Sequence, residues 1–558
     1  MFKVLRIFHK DLADIHHAAF WLALFSILSG ILGLFRDRML AGFFGASRAL
    51  DIYYSAFRAP DFIYTLMLFL TSATAIIPIF LRKLNSNKAE AENFGGTVIL
   101  FFSCAALAVS SVAFFLMPQI SDFLFPGFSS EEIALSSALS RIMLLSPIFL
   151  GISNIFSGII QSFKRFFAYA LSPVFYNLGI IFGILFFFPV FGINGLAYGV
   201  VLGAFLHMIV QVPSFIGAEF NLRFKRISFS EIKNVIVYSI PRTIGLAVNQ
   251  VLILVFTAFA STLALGSIAV FNLSQNLGYL PTTIIGLSYS VAAFPTLASF
   301  SLKKERLGFE EHFSSAFRHI IFWTIPFSAL FLILRAQIVR VILGSGAFSW
   351  QDTRLTAASL FLLSLGIAFQ SLFLLLVRAF YAEGEIKKPL IINIVSAVFG
   401  IGSMFWFSNM LSPDSAFGGA ISSLLDISDI ADIRVLALPL GILSSGIFNL
   451  FLLLWAFKIV FGWFPVKKSQ KSILEIIFAS FVGAGATYGG LNVFSLFFDL
   501  NTFGGIFLQG VCSGFLGISV IGAILYFLKN REFFEVVSSF RNVVFKTHIS
   551  VPEPDKLP

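Results

Sequence analysis

Arginine is the residue type with the most chemistry to offer in this chain. Arg36, Arg38, Arg48 and Arg58 lie at one end of the first two long apolar runs. Arg141 falls inside the fourth run, Arg242 inside the seventh in Ile240-Pro241-Arg242-Thr243, and Arg378 inside the tenth. A charge at membrane depth is costly and normally faces a bundle interior or a watery cavity. The guanidinium fork also matches phosphate oxygens two at a time. The pattern therefore points to a cationic cavity for an anionic, phosphate-bearing substrate, with Arg36, Arg58 and Arg242 as its binding residues. The plainer alternative is snorkelling to the interface, with internal pairing to Asp37, Asp51 or Asp61.

The remaining chemistry is sparse. The chain has no GxGxxG or GxxxxGK[ST], no HExxH and no Cys/His pair at metal-ligand spacing, so no enzyme, cofactor or metal is expected. His16, His17, His312 and His319 adjoin the ends of apolar runs and read as interfacial. Cys104 and Cys512 lie within apolar runs and read as small buried hydrophobes. Pro60, Pro78, Pro241, Pro281 and Pro295 interrupt spans 2, 7 and 8, as is tolerated where a helix lines a cavity or packs on neighbours. Asn249, Gln250, Asn272, Gln275 and Asn276 give spans 7 and 8 polar faces, suited to hydrogen bonds between helices.

The elements that must position these groups are transmembrane helices. Hydrophobic residues make up 58% of the chain and charged residues 12%, with a mean hydropathy of +0.92. Soluble domains are about a quarter charged. Apolar runs bounded by charges and turn residues predict spans at 17–36, 52–81, 96–118, 133–160, 168–189, 194–217, 232–261, 268–300, 314–342, 355–381, 389–411, 435–461, 472–498 and 503–528. Alternate loops are rich in lysine and arginine, as at Lys3, Arg82, Lys164, Arg223, Lys303, Lys387, Lys467 and Lys529. The loops between them carry no lysine, which places both termini in the cytoplasm. The net charge of +10 resides in these loops and calls for no nucleic-acid partner. The first apolar run reads as a retained helix rather than a cleaved signal, and residues 530–558 as a frayed cytoplasmic end.

The second six spans repeat the first six. Ala75-Ile76-Ile77-Pro78 matches Ala292-Ala293-Phe294-Pro295 at an offset of 217, and Pro173-x-x-x-Asn177 matches Pro389-x-x-x-Asn393 at 216. The fold class that follows is an all-α polytopic membrane protein of about 14 transmembrane helices. It would have two pseudo-symmetric six-helix lobes at 1–220 and 221–465, two further helices at 466–530 and a tail at 531–558. Repeats of equal topology place a site where they face each other.

The segment Ser29-Gly30-Ile31-Leu32-Gly33-Leu34-Phe35-Arg36-Asp37, with Phe44-Gly45-Ala46, Asp51 and Ala56-Phe57-Arg58-Ala59-Pro60-Asp61, resembles the MurJ (MviN-like) lipid II flippases. These belong to the multidrug/oligosaccharidyl-lipid/polysaccharide exporter superfamily. The match recurs in Phe294-Pro295-Thr296-Leu297, in Gly344-Ser345-Gly346-Ala347-Phe348 and in Phe380-Tyr381-Ala382-Glu383-Gly384-Glu385-Ile386-Lys387-Lys388-Pro389. The resemblance implies a bacterial inner-membrane protein that exports lipid II, an undecaprenyl-pyrophosphate-linked precursor, with cavity arginines holding the pyrophosphate. It implies that Arg36 and Asp51 occupy functional positions. Departures accompany it. Gly30 stands for an arginine of the first helix, Tyr64, Thr65, Phe69 and Leu70 stand for an arginine pair and Glu-Gly of the second, and Gln275 stands for a cavity arginine of the eighth. Arg58 and Arg242 are the candidate substitutes.

The reading that results is alternating-access flipping of lipid II by a monomer embedded in the bilayer. Its rivals are flipping of another polyprenyl-pyrophosphate-linked oligosaccharide, cation-coupled export and a non-transporting scaffold.

Overall fold

The computed structural model describes residues 15–71, 73–163, 165–217, 223, 229–412, 415–463 and 469–544. No strand occurs among them. The first helices are α1 (Ile15–Phe44), α2 (Arg48–Ala56), α3 (Arg58–Thr71), α4 (Ala73–Ser86), α5 (Lys88–Leu124), α6 (Ser130–Met143), α7 (Leu145–Ser162), α8 (Phe166–Phe182) and α9 (Ile193–Ile209). After them come α10 (Phe229–Ser261), α11 (Ser267–Pro281), α12 (Ser288–Leu302), α13 (Arg306–Ile342), α14 (Trp350–Leu365) and α15 (Ile367–Ala382). The last are α16 (Lys387–Met410), α17 (Ala416–Leu424), α18 (Ala437–Phe461), α19 (Gln470–Phe494), α20 (Phe503–Phe527) and α21 (Arg531–Val544).

Among the described residues, 11 helices are long and apolar enough to cross a membrane, or up to 12 if a bent pair counts as one span. The second expected span is interrupted at Phe57, between α2 and α3, whereas the eighth is a continuous helical stretch, Ser267–Leu302, in which a π-helical segment at Thr282–Leu287 joins α11 to α12. The order of elements recurs along the chain. α5 and α13 are both 37 residues long, and a shift of 218 residues carries one onto the other. Large apolar side chains point outward, Phe115 at 74%, Phe481 at 78% and Phe515 at 70% exposure, as a lipid solvent requires.

Two compact units are distinguished, one of Met1–Leu277, Ile342–Ser359 and Leu390–Ser445, the other of Gly278–Val341, Leu360–Pro389 and Gly446–Pro558. In the first, Ile63, Met67, Phe80, Phe94, Phe102, Ile155 and Ile159 form the core between α3, α4, α5 and α7. α8 and its π-helical continuation Gly183–Phe187 approach α9 closely at facing glycines. A Cβ on Gly183 would collide with Gly199 Cα, and one on Gly179 with Gly203. Without a hydrophobic drive between helices in lipid, such close backbone approach supplies the packing. In the second unit an aromatic stack holds α13 to α18, with Phe313 on Phe457 at 4.7 Å and Phe457 on Phe461 at 4.2 Å between ring centres.

Two expectations are corrected. Cys104 is exposed rather than buried, because the outward face of α5 carries it toward lipid with Leu107 and Phe115. Residues 531–544 are not frayed: they form α21, whose Glu532 is fully buried in an ion pair of 2.6 Å with Arg318.

Candidate functional site

The site lies in the first compact unit, where α1, α2, α3, α8 and α11 bring polar groups together inside an apolar bundle. Arg36 and Asp37 stand on α1. Arg36 donates from Nε and Nη2 to Asp37 Oδ1 at 3.0 and 2.8 Å, and from Nη1 to Asn177 Oδ1 on α8 at 3.2 Å. Asn177 is in turn oriented by its amide, which donates to Ser29 Oγ at 3.1 Å. The second oxygen of Asp37 accepts from Asn276 Nδ2 on α11 at 2.9 Å. Asp37 is 2% exposed, whereas the Arg36 side chain keeps 21%. The guanidinium thus has a carboxylate on one edge and the Asn177 amide oxygen on the other.

Arg58 is placed differently. It opens α3, just after the helix break at Phe57. It is 7% exposed and has no carboxylate within ion-pair distance among the described residues; Asp61, one turn on in α3, acts on it from farther away. Nη2 donates to Asn272 Oδ1 on α11 at 2.5 Å, and Nε has no partner. The Tyr54 hydroxyl, one turn earlier, is also buried without a partner, within electrostatic reach of Arg36, Asp37 and Arg58. A buried cation with no carboxylate in direct contact is expensive to keep. Two unmatched donors beside it describe a place for an anion.

Asp51 uses both oxygens on backbone. Oδ2 accepts from Gly266 N at 2.7 Å and Oδ1 from Ala269 N at 2.9 Å, so the carboxylate caps the start of α11. Gly266 adopts φ +84°, and a Cβ there would strike Ala46 O, so only glycine fits the approach. Arg48 lies 3.9 Å from Asp51 and pairs with Glu132 at 2.8 Å. α11 is therefore the common receiver. Ala269, Asn272 and Asn276, spaced to share one helix face, meet Asp51, Arg58 and Asp37.

Of the expected binding residues, the structure brings Arg36, Asp51 and Arg58 onto this one network. Gln275 is 7% exposed on α11. Arg242 lies on α10, and its side chain falls outside the described residues. Arg141 is elsewhere, donating to Phe114 O at 2.8 Å with its guanidinium over the Phe114 ring. Asn177 and Tyr54 were not singled out as ligands. Their signal was a lone amide and a tyrosine pair in otherwise apolar helices. Among the described residues no group of three His, Cys, Asp or Glu could hold a metal ion.

Comparison with known proteins places this arrangement. A model of the family described as "Lipid II flippase MurJ" matches residues 40–507. The "Probable lipid II flippase MurJ" of Thermotoga maritima is 30% identical over 376 residues, covering 67% of this chain and 76% of that protein. The "Lipid II flippase MurJ" of Burkholderia cenocepacia is 23% identical over 438 residues, 76% of this chain and 83% of that one. Among solved structures, a "Lipid II flippase MurJ, inward closed conformation" shares the fold with a TM-score of 0.72 at 24% identity, over 91% of this chain and 99% of that chain. An inward-facing multidrug resistance MATE family transporter of the MOP superfamily shares it at 0.63 and 16% identity, over 79% and 96%. The family match runs through most of the sequence: this chain belongs to the lipid II flippase MurJ family.

Proposed function

We propose that this protein moves lipid II, the polyprenyl-pyrophosphate-linked peptidoglycan precursor, from the cytoplasmic to the outer leaflet of a bacterial inner membrane. The observation that carries this is Arg58 with Tyr54. A buried guanidinium with no carboxylate in direct contact, with its Nε and a neighbouring hydroxyl both unmatched, is chemically prepared for a phosphate group. Arg36, oriented by Asp37 and Asn177, offers a second positive edge. Arg242 and Gln275 complete the proposed binding set.

Asp51 serves the cycle from one end. Its cap on α11 joins α2 to α11 and closes that end of the site while it holds. Alternating access then means release of this cap and of the Asp37–Asn276 and Arg58–Asn272 contacts as the segment 1–220 rocks against 221–465. The polyprenyl tail stays in lipid throughout. Both termini lie in the cytoplasm, supported by the lysine distribution, and the protein acts as a monomer.

Depletion of this protein in its own cells tests the reading. Lipid II should accumulate at the inner leaflet. Accumulation of a different polyprenyl-pyrophosphate saccharide would keep the anion chemistry and replace the cargo, and accumulation of none would reject transport.

A further inference from the structure

A proline inside a helix leaves one carbonyl without its donor, and α5 contains such a place. Pro118 lies within α5 and has no N–H, so the Phe114 carbonyl four residues earlier loses its helical hydrogen bond. Arg141 of α6 supplies the replacement. Its Nε donates to Phe114 O at 2.8 Å, and its guanidinium carbon stands 5.0 Å from the centre of the Phe114 ring. The rotation of α6 is fixed from its inward face, where Ser136 Oγ lies 3.2 Å from Ser55 Oγ and Ser140 Oγ donates to Ala56 O at 3.0 Å. The guanidinium is thereby held twice, by the bond to Nε and by the ring beneath it. All of these residues belong to the first compact unit, and the site network above uses none of them.

Helix length sets the level of this contact in the bilayer. α6 and α7 form one candidate span, Ser130–Ser162, and Arg141 lies about 30 Å along it from Ser162, the end next to Lys164. On α5, Phe114 lies about 30 Å from Glu92, the last charged residue before the apolar run. The hydrocarbon is itself about 30 Å thick. Both helices therefore set the contact at the far edge of the hydrocarbon, at phosphate level on the side whose loop, 119–132, has no lysine or arginine.

The surroundings are lipid-facing and uncompensated. Val112, Phe114, Phe115 and Leu145 are large, apolar and exposed. Of the carboxylates on this side, Glu132 pairs with Arg48, while Asp122 and Glu131 are exposed. None of them lies within ion-pair distance of Arg141 among the described residues, and Arg141 makes no hydrogen bond there besides that of Nε. Nη1 and Nη2 are left as an aimed pair of donors, the geometry that matches two phosphate oxygens.

We propose that Arg141 binds the phosphate of an anionic outer-leaflet phospholipid end-on through Nη1 and Nη2, with the acyl chains along Phe115 and Leu145. The inference concerns a resident lipid and stands apart from the transported cargo. A snorkelling arginine reaches the same level but keeps its rotamer freedom. Here the carbonyl freed by Pro118 fixes the fork before the lipid arrives, so less side-chain freedom is lost on binding. A net anionic headgroup is favoured because the guanidinium touches no carboxylate, and an ammonium group finds no acceptor among the apolar side chains around it.

The test is photocrosslinking of the full-length protein in liposomes that hold phosphatidylglycerol with a diazirine at the glycerol end of one acyl chain, the adducts being mapped by peptide mass spectrometry. Phosphatidylcholine with the same label is the reference. In wild type the adducts at residues 112–115 and 145 should form from phosphatidylglycerol at about tenfold higher yield, the scale of one charge-assisted contact. Arg141→Gln keeps a donor for Phe114 O and should bring the two lipids to equal yield. Pro118→Ala returns an N–H to the Phe114 carbonyl, leaves Arg141 charged but unpinned, and should lose most of the preference, with adducts elsewhere on the protein unchanged. Equal yields in wild type, or an unchanged preference in Arg141→Gln, overturn the site. An unchanged preference in Pro118→Ala overturns the pinned fork and leaves ordinary snorkelling. Loss of the phosphatidylglycerol adduct to equimolar farnesyl pyrophosphate overturns the phospholipid assignment and gives the fork to a polyprenyl pyrophosphate.

Discussion

Two arginines less than a chain's breadth apart in sequence have opposite electrostatic situations, and their variants should separate. Arg36 is bonded to its own neighbour Asp37 and to Asn177. Removing Asp37 leaves a mostly buried cation unpaired. Asp37→Asn should therefore lower the melting temperature in detergent, by a loss on the order of 3 kcal/mol. Arg58 touches no carboxylate but faces Asp61 one turn on in α3, so Arg58→Ala should cost less stability than Asp37→Asn while transport falls. Arg58→Lys keeps the charge but loses the fork, and should retain more transport than alanine. Tyr54→Phe removes a buried hydroxyl that has no partner in the folded protein. It should melt at or above the wild-type temperature and still lose transport by about tenfold, the scale of one hydrogen bond to a charged group. A purely structural role for Tyr54 predicts the reverse pattern.

At the scale of elements, α11 decides how the site is held. Asp51 caps it, and a lost cap costs about 1 kcal/mol. Asp51→Ala should thus raise the rate at which an external thiol reagent reaches a cysteine at position 268, where Ile268 is fully buried. No change in that rate would remove Asp51 from the closure. Away from the spans, Arg354 donates to both oxygens of Asp429 at 2.7 and 2.5 Å and holds that carboxyl below the ordinary carboxylate range. A depressed folded-state value gives stability that is fully present above the unfolded value and is lost as pH falls through the folded one. Amide protection of residues 425–433 should therefore be level from neutrality to about pH 4 and fall only below it. Arg36, Arg58 and Asp51 were visible in the sequence because charge in an apolar run is conspicuous. Their partners were not. Asn177 lies 141 residues from Arg36 and Asn272 lies 214 from Arg58, and only the folded bundle chooses among the many amides of these helices. α21 was missed for a related reason: Phe533, Phe534, Val536 and Val537 give it apolar residues, but the Arg318–Glu532 pair that anchors it joins positions 214 residues apart.

At the scale of the whole molecule, the class of fold was plain from hydropathy, since lipid as solvent leaves helices as the economical way to satisfy a backbone. The helix breaks were less plain. Pro281 adjoins the π-helical segment Thr282–Leu287, but Pro78 and Pro295 lie inside helices, and the interruption of span 2 falls at Phe57. Orientation rests on lysine alone, so a cysteine at position 304 in intact cells should resist an impermeant thiol reagent, and efficient labelling there would invert the topology. The central claim is that unmatched donors around Arg58 hold the pyrophosphate of a lipid-linked cargo. Its most direct measurement is the inner-leaflet level of lipid II in a strain depleted of its own flippase and carrying the Tyr54→Phe, Arg58→Ala double variant, at expression and melting temperature matched to wild type. The account predicts accumulation of lipid II at the inner leaflet and arrested growth. Growth and lipid II levels equal to those supported by the wild-type chain would contradict it.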